Sequence, residues 1–203
     1  MKTLNDLRKS GSGKTFAPWT QALRILVCGS PALVDQLSSY ADYHRDPRNI
    51  FTHYIGVPMI MWAVVILLAR VQWGLLAGVP LSLALVAASA AAVYYCRLDL
   101  RYGLFMTALL ATMLALAIPI AAQSSALWLA WGLGLFGVGW VIQFIGHYYE
   151  GRKPAFFDDV MGLVIGPLFV VAELSFAMGL RKPLQAEIER RSGPVRRREL
   201  AGA

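Results

Sequence analysis

Three histidines stand in this chain of 203 residues: His44, His53 and His147. Imidazole nitrogens backed by a carboxylate suit a divalent transition metal such as iron, zinc or manganese. Acidic residues stand near them, with Asp42 and Asp46 around the first and Glu150, Asp158 and Asp159 after the last. His147 and Glu150 are three apart, so a helix presents both on one face. Gln143, one turn before His147, is placed to hydrogen-bond that ligand without itself touching a metal. His44 and His53 are nine apart, which on an unbroken helix sets them on opposite faces. They can share a metal only if the chain bends between them. Asp46-Pro47 supplies the bend, because the residue before a proline avoids the helical region. The competing use of a histidine here is as an amphipathic anchor at a membrane surface, the role assigned to Tyr40, Tyr43, Tyr54, Tyr148 and Tyr149. All three histidines falling near one face favours the metal.

The elements that carry them are apolar. Hydrophobic residues make up 57% of the chain and charged ones 15%, against roughly 25% charged in a soluble domain; the mean hydropathy is +0.54. The surplus must face lipid. Ser30-Pro31 reads as a helix start, and the amphipathic stretch 32–44 as a short interfacial helix. Apolar runs follow at 55–71, 75–95, 103–122 and 126–146, each near the ~20 residues that span a hydrocarbon core. The last holds Gly132, Gly134, Gly137 and Gly139, read as close helix packing. Cys28 and Cys96 show no metal spacing and read as free thiols. Residues 1–20 hold no apolar core of signal-peptide type. The net charge of +7 gathers at the termini and in short loops, which points to topology and anionic headgroups; no nucleic-acid motif is present.

Arg24, Arg45 and Arg48 precede the first run, Arg97 and Arg101 separate the second from the third, and Arg152 and Lys153 follow the fourth. Gln123-Ser124-Ser125 carries no charge, and Arg70 is the one exception to the pattern. The positive-inside rule then puts the N-terminus and the three histidines at the cytoplasmic face. The tail, with Arg181, Lys182, Arg190, Arg191, Arg196, Arg197 and Arg198, belongs there too. The run 160–180 contains Gly166-Pro167, and backbone freed by such a break must be buried in protein or line a cavity. The expected fold is therefore an all-α polytopic membrane helical bundle of four spans plus a broken re-entrant last segment, the alternative being five spans. Residues 1–30 are expected to be mostly disordered, 31–182 a membrane-embedded catalytic domain and 183–203 a basic cytoplasmic tail. Glu173, ionisable within an apolar segment, is a functional candidate.

The stretch Tyr40-Ala-Asp-Tyr-His44-Arg-Asp-Pro-Arg-Asn49-Ile-Phe-Thr-His53-Tyr-Ile-Gly56-Val-Pro58 resembles the first motif of a known family, Gln143-Phe-Ile-Gly146-His147-Tyr-Tyr-Glu150-Gly151-Arg152-Lys-Pro154-Ala155 its second, and Gly166-Pro167-Leu-Phe169-Val-Val-Ala-Glu173 its third. The family is the 2-hydroxy fatty acid dioxygenases, related to the fungal endoplasmic-reticulum enzyme of phytosphingosine breakdown. The resemblance covers residues 31–182 and implies an iron(II) enzyme that shortens a 2-hydroxy fatty acid by one carbon with O₂. By that resemblance His44, His53 and His147 are iron ligands, with Glu173 and Glu150 the candidates for a further one. Arg45, Asn49 and Arg152 are candidate substrate-binding residues, and Arg48 could likewise pair with a carboxylate. Membrane lipids are the remaining expected partners. The competing functions are another metal-dependent membrane lipid enzyme, and a transporter or scaffold, for which the sequence lacks an internal repeat. The alanine- and glycine-rich runs suggest a bacterial inner membrane, or the endoplasmic reticulum if the chain is eukaryotic.

Overall fold

The computed structural model describes residues 29–76 and 78–199. All but the last two residues of the segment expected to be disordered, and the last four residues of the tail, lie outside that range. Helix α1, Pro31–Ala41, starts as the sequence dictates: the Ser30 hydroxyl accepts from the Leu33 amide and Pro31 opens the first turn. The chain turns through residues 42–46, and the Asp46 carboxylate then caps α2, Pro47–Ala69, with Pro47 in its first turn. This is the bend that two histidines nine apart require.

A hairpin follows. Strands β1, Gln72–Leu76, and β2, Val79–Ser82, pair antiparallel with an irregularity between Gln72 and Gly74. The second apolar run is thus not one helix over 75–95. Its first part is the hairpin, and helix α3, Leu83–Leu98, has 16 residues, fewer than a full span takes. Hydropathy cannot separate the two. The turn lies at Gly78, whose φ of +82° suits a residue without a Cβ, and Pro80 sits in the short second strand. Helices α4, Leu100–Ala121, and α5, Ser125–Glu150, are long and apolar. Arg70, the exception in the charge pattern, donates to the carbonyls of Ala121 and Gln123 and lies over the Trp128 ring. It closes the C-terminal end of α4, where carbonyls lack intrahelical donors.

After a 3-10 turn, Ala155–Phe157, helix α6 runs unbroken from Met161 to Ala177. The expected break at Gly166-Pro167 is absent. The Tyr95 hydroxyl donates to the Val164 carbonyl at 2.7 Å, in the turn that Pro167 disturbs, which is how a neighbouring side chain lets a proline persist in an apolar helix. Gly166 instead leaves room for Tyr40, since a Cβ there would come within 2.8 Å of its hydroxyl. The break comes later. Gly179 (φ +75°) and Leu180 donate back to Phe176 and Ser175, a helix-ending motif that calls for glycine. Helix α7, Lys182–Ser192, then departs at 116°. It is polar, and it folds back on α1 with Leu184 and Ile188 buried. The molecule is mostly helical. Among the described residues, three helices are long and apolar enough to cross a membrane (α2, α4 and α5), or up to four if α6 and α7 count as one bent span. Several long apolar helices of this kind are consistent with an integral membrane protein.

The pairing that matters most is α2 against α5, which run antiparallel. Gly132, Gly139 and Gly146 repeat every seven residues along the seam. A Cβ on Gly139 would meet Ile60 at 2.7 Å, and one on Gly146 would meet Thr52 and Asn49 at 2.0 and 2.5 Å. Gly134 and Gly137 face open space, so packing explains only part of the glycine content. Small residues allow this close approach, and the approach fixes how far His53 on α2 stands from His147 on α5.

Candidate metal centre

The bend and the seam bring the three histidines together. All are buried, and one ligand atom from each can be chosen so that all lie within 4.8 Å of one another. His44 Nε2 and His53 Nε2 are 3.0 Å apart. The opposite side of each ring is tied down: Nδ1 of His44 lies 2.7 Å from the Tyr40 carbonyl, that of His53 2.9 Å from Asn49 O, and that of His147 3.2 Å from Arg152 O. A carbonyl only accepts, so each Nδ1 carries the proton and each Nε2 presents a lone pair. Two lone pairs 3.0 Å apart repel unless a cation lies between them. Burial, and next the neighbouring His53 and His147, push the His44 imidazole well below its ordinary range, so a shared proton is disfavoured and the neutral, metal-binding form prevails. Nitrogens on one metal at bonds of about 2.1 Å and right angles stand about 3.0 Å apart, which matches the His44–His53 pair. The donor set fits a divalent transition metal.

Beneath the histidines lies a buried polar network. Glu150 Oε2 accepts from the backbone amides of Arg45 (3.0 Å) and Asp46 (2.8 Å) and from Asn49 Nδ2 (3.1 Å), while Oε1 lies 2.8 Å from Arg198 Nη2. Glu150 therefore holds the 42–49 bend from outside the histidine cluster. Arg45 donates to Glu173 at 2.9 Å and to the Ala41 and His44 carbonyls. Burial pushes the Asp46 carboxyl up, but Arg48 and the Arg198 amide outweigh it and hold it at about 2. Arg48 also lies over the Tyr149 ring. Arg152 reaches the Asp42 carbonyl at the surface.

A cavity of about 400 Å³ opens above the cluster. His53, His147, Gln143, Tyr40 and Tyr95 supply polar atoms to its wall, and most of the remaining lining is aliphatic or aromatic. Arg45, Asn49, Arg152, Glu150 and Glu173 are not among its lining residues. Gln143 is not bonded to His147. It is buried, and its amide lies against Gly56, where a Cβ would come within 2.5 Å of Nε2. Tyr40, assigned by sequence to the membrane interface, is buried and stacks on His44 with ring centroids 4.1 Å apart and planes within 1°. Phe169 closes on both rings. Their spacing alone held one clue: Tyr40 lies four residues before His44, the distance that stacks side chains on a helical turn.

Residues 31–178 match the model of the family described as Mpo1-like, 2-hydroxy-palmitic acid dioxygenase Mpo1-like. A relative, 2-hydroxy-palmitic acid dioxygenase MPO1 of Saccharomyces cerevisiae, is 35% identical over 159 residues, covering 77% of this chain and 87% of its own. No solved structure matches the chain.

Proposed function

This chain belongs to the Mpo1-like 2-hydroxy-palmitic acid dioxygenase family, and from that membership we propose that it is an iron(II)-dependent dioxygenase that shortens 2-hydroxy fatty acids by one carbon. The observation that carries the proposal is the convergence of three buried histidines, one ligand atom of each within 4.8 Å of the others, with every Nδ1 facing a backbone carbonyl. His44, His53 and His147 would hold the iron. Bound there, iron(II) would supply Lewis acidity toward the substrate carboxylate and hydroxyl and a site for O₂. The reaction balances without an external reductant. One 2-hydroxy acid and one O₂ give the shorter fatty acid, carbon dioxide and water; the C1–C2 bond breaks, the substrate loses four electrons and O₂ gains them.

This chain's own residues do the rest. Tyr40 and Phe169 hold the His44 ring, and Glu150 holds the bend that carries both His44 and His53. The apolar cavity would take the acyl chain and exclude water from the reacting end. Glu150 and Glu173 are ion-paired with Arg198 and Arg45, and Glu150 also accepts from backbone amides, so three histidines with exchangeable positions for substrate are the ligand set we favour. Arg45 and Asn49 act in this account through the bend, while Arg152, at the surface, would meet a substrate carboxylate on its way in. The basic loops favour a cytoplasmic site, in a bacterial inner membrane or, for a eukaryotic chain, the endoplasmic reticulum.

The test is oxygen uptake by the iron-loaded, detergent-solubilised chain with 2-hydroxypalmitate, with the products read by mass spectrometry. Uptake matched by pentadecanoate and carbon dioxide is the expected result. An iron-loaded protein that consumes no oxygen with any 2-hydroxy acid would overturn the proposal.

A further inference from the structure

The cavity has a polar end and a long apolar end. His53, Gln143 and His147 stand at the first, and Leu68 and Ala84 at the second. Leu68 lies fifteen residues beyond His53 on the same helix, about 22 Å along its axis. One leaflet of lipid chains fills about half of a ~30 Å hydrocarbon core, so this length takes a long acyl chain close to full extension. Apart from Tyr95, the wall that α3 contributes is made of Ala84, Ala87, Ala88 and Ala91, which fall on one helical stripe. Each is a position where a larger side chain would occupy the cavity.

Gln143 is the independent sign that a ligand with a polar head belongs here. It is 3% exposed, it lines the cavity, and neither its amide oxygen nor its amide nitrogen has a hydrogen-bond partner among the described residues. A buried amide left in that condition forfeits the hydrogen bonds it had in water, which a ligand's hydroxyl or carboxylate beside His53 and His147 would restore.

We infer that the cavity measures the acyl chain: Gln143 receives the polar head, the α3 alanine stripe walls the tail, and Leu68 with Ala84 sets the longest chain accepted. The inference rests on the proposed fatty-acid substrate and names what selects its length.

Two variants act in opposite directions. Ala88→Leu narrows the channel midway and Leu68→Ala extends its far end. The full chain, iron-loaded and in detergent, is assayed with 2-hydroxydecanoate, 2-hydroxypalmitate and 2-hydroxybehenate. The same acids are scored for displacement of a fluorescent fatty acid, a readout that needs no turnover. Ala88→Leu should raise the decanoate-to-palmitate ratio of kcat/KM and of displacement at least tenfold, and Leu68→Ala should raise the behenate-to-palmitate ratio several-fold. If Ala88→Leu fails to fold, Leu68→Ala alone decides. Shifted displacement without any turnover would keep the ruler and remove the dioxygenase reading. Ratios equal to wild type in a folded variant would overturn the ruler, whatever the turnover.

Discussion

The two ends of α2 face different problems. At its N-terminal end His44, Arg45, Asp46, Asn49 and His53 are all buried, together with Glu150 and Glu173 from α5 and α6. At its C-terminal end Val65, Ile66 and Ala69 pack into an apolar cluster with Ala84, Leu114, Ala117 and Ala121, and the local charge, Arg70, lies at the edge capping α4. A chain in lipid gains little from burying charge, because each buried ion must find a partner. Concentrating such groups at one end makes sense if they hold something rigid that function needs. Here it is a bend that two ligands share. The C-terminal end packs apolar side chains against one another and, through Leu68 and Ala84, walls the far end of the cavity, and its polar residue is replaceable.

That contrast can be broken most severely at Glu150. Glu150→Ala strands the buried backbone N–H groups of Arg45 and Asp46, at about 1–3 kcal/mol for each, and removes one of the two acceptors of the Asn49 amide. The expected result is loss of metal binding with a large fall in thermal midpoint, followed in detergent by circular dichroism and elemental analysis. A variant with unchanged midpoint and metal content would remove the bend from the account.

Next comes the seam. Gly146→Val meets Thr52 and Asn49 with no free volume, and overpacking of this kind costs about 1–3 kcal/mol. Because the strain falls between the helices that carry His53 and His147, metal affinity should drop at least tenfold while the helical circular dichroism persists. Gly134→Val, facing open space, should change neither.

At the other end, Arg70→Ala should cost about 1 kcal/mol, the sum of a lost cap and a cation–π contact, and leave metal content at wild type. A metal loss equal to that of Glu150→Ala would erase the distinction between the ends.

The smallest effect is one of pH. Burial pushes the Asp99 carboxyl up, but the Arg181 guanidinium and the Tyr102 and Arg101 amides outweigh it and hold it below the usual carboxylate range. A carboxyl depressed in the folded state contributes stability above its unfolded pKa of ~3.9 that fades as pH falls through the folded value. Asp99→Asn should flatten the acid limb of the stability profile below about pH 4, leaving the profile near neutrality lower but parallel to wild type.

Much of this was legible from residue types. Ser30-Pro31 and Asp46-Pro47 announce the two helix starts, and the bend between them follows from the need to bring His44 to His53. Hydropathy found the long helices. It could not find the hairpin, because Trp73, Leu75, Val79 and Leu81 read the same whether helical or paired in strands. Gly166-Pro167 looked like a break because sequence does not show that Tyr95 would reach Val164. The true break carried its own signal, Gly179 followed by Lys182-Pro183. Gln143 stands one turn from His147, as the spacing requires, but makes no hydrogen bond to it, and the Arg152 carbonyl five residues on faces the Nδ1 of His147 instead.

The measurement closest to the heart of this account is metal content by elemental analysis of protein purified anaerobically, wild type beside His44→Ala, His53→Ala and His147→Ala. About one iron per chain is expected, lost in each of the three variants while the fold survives. Wild-type protein that takes up no metal after iron loading, or variants that keep it, would contradict a shared metal centre.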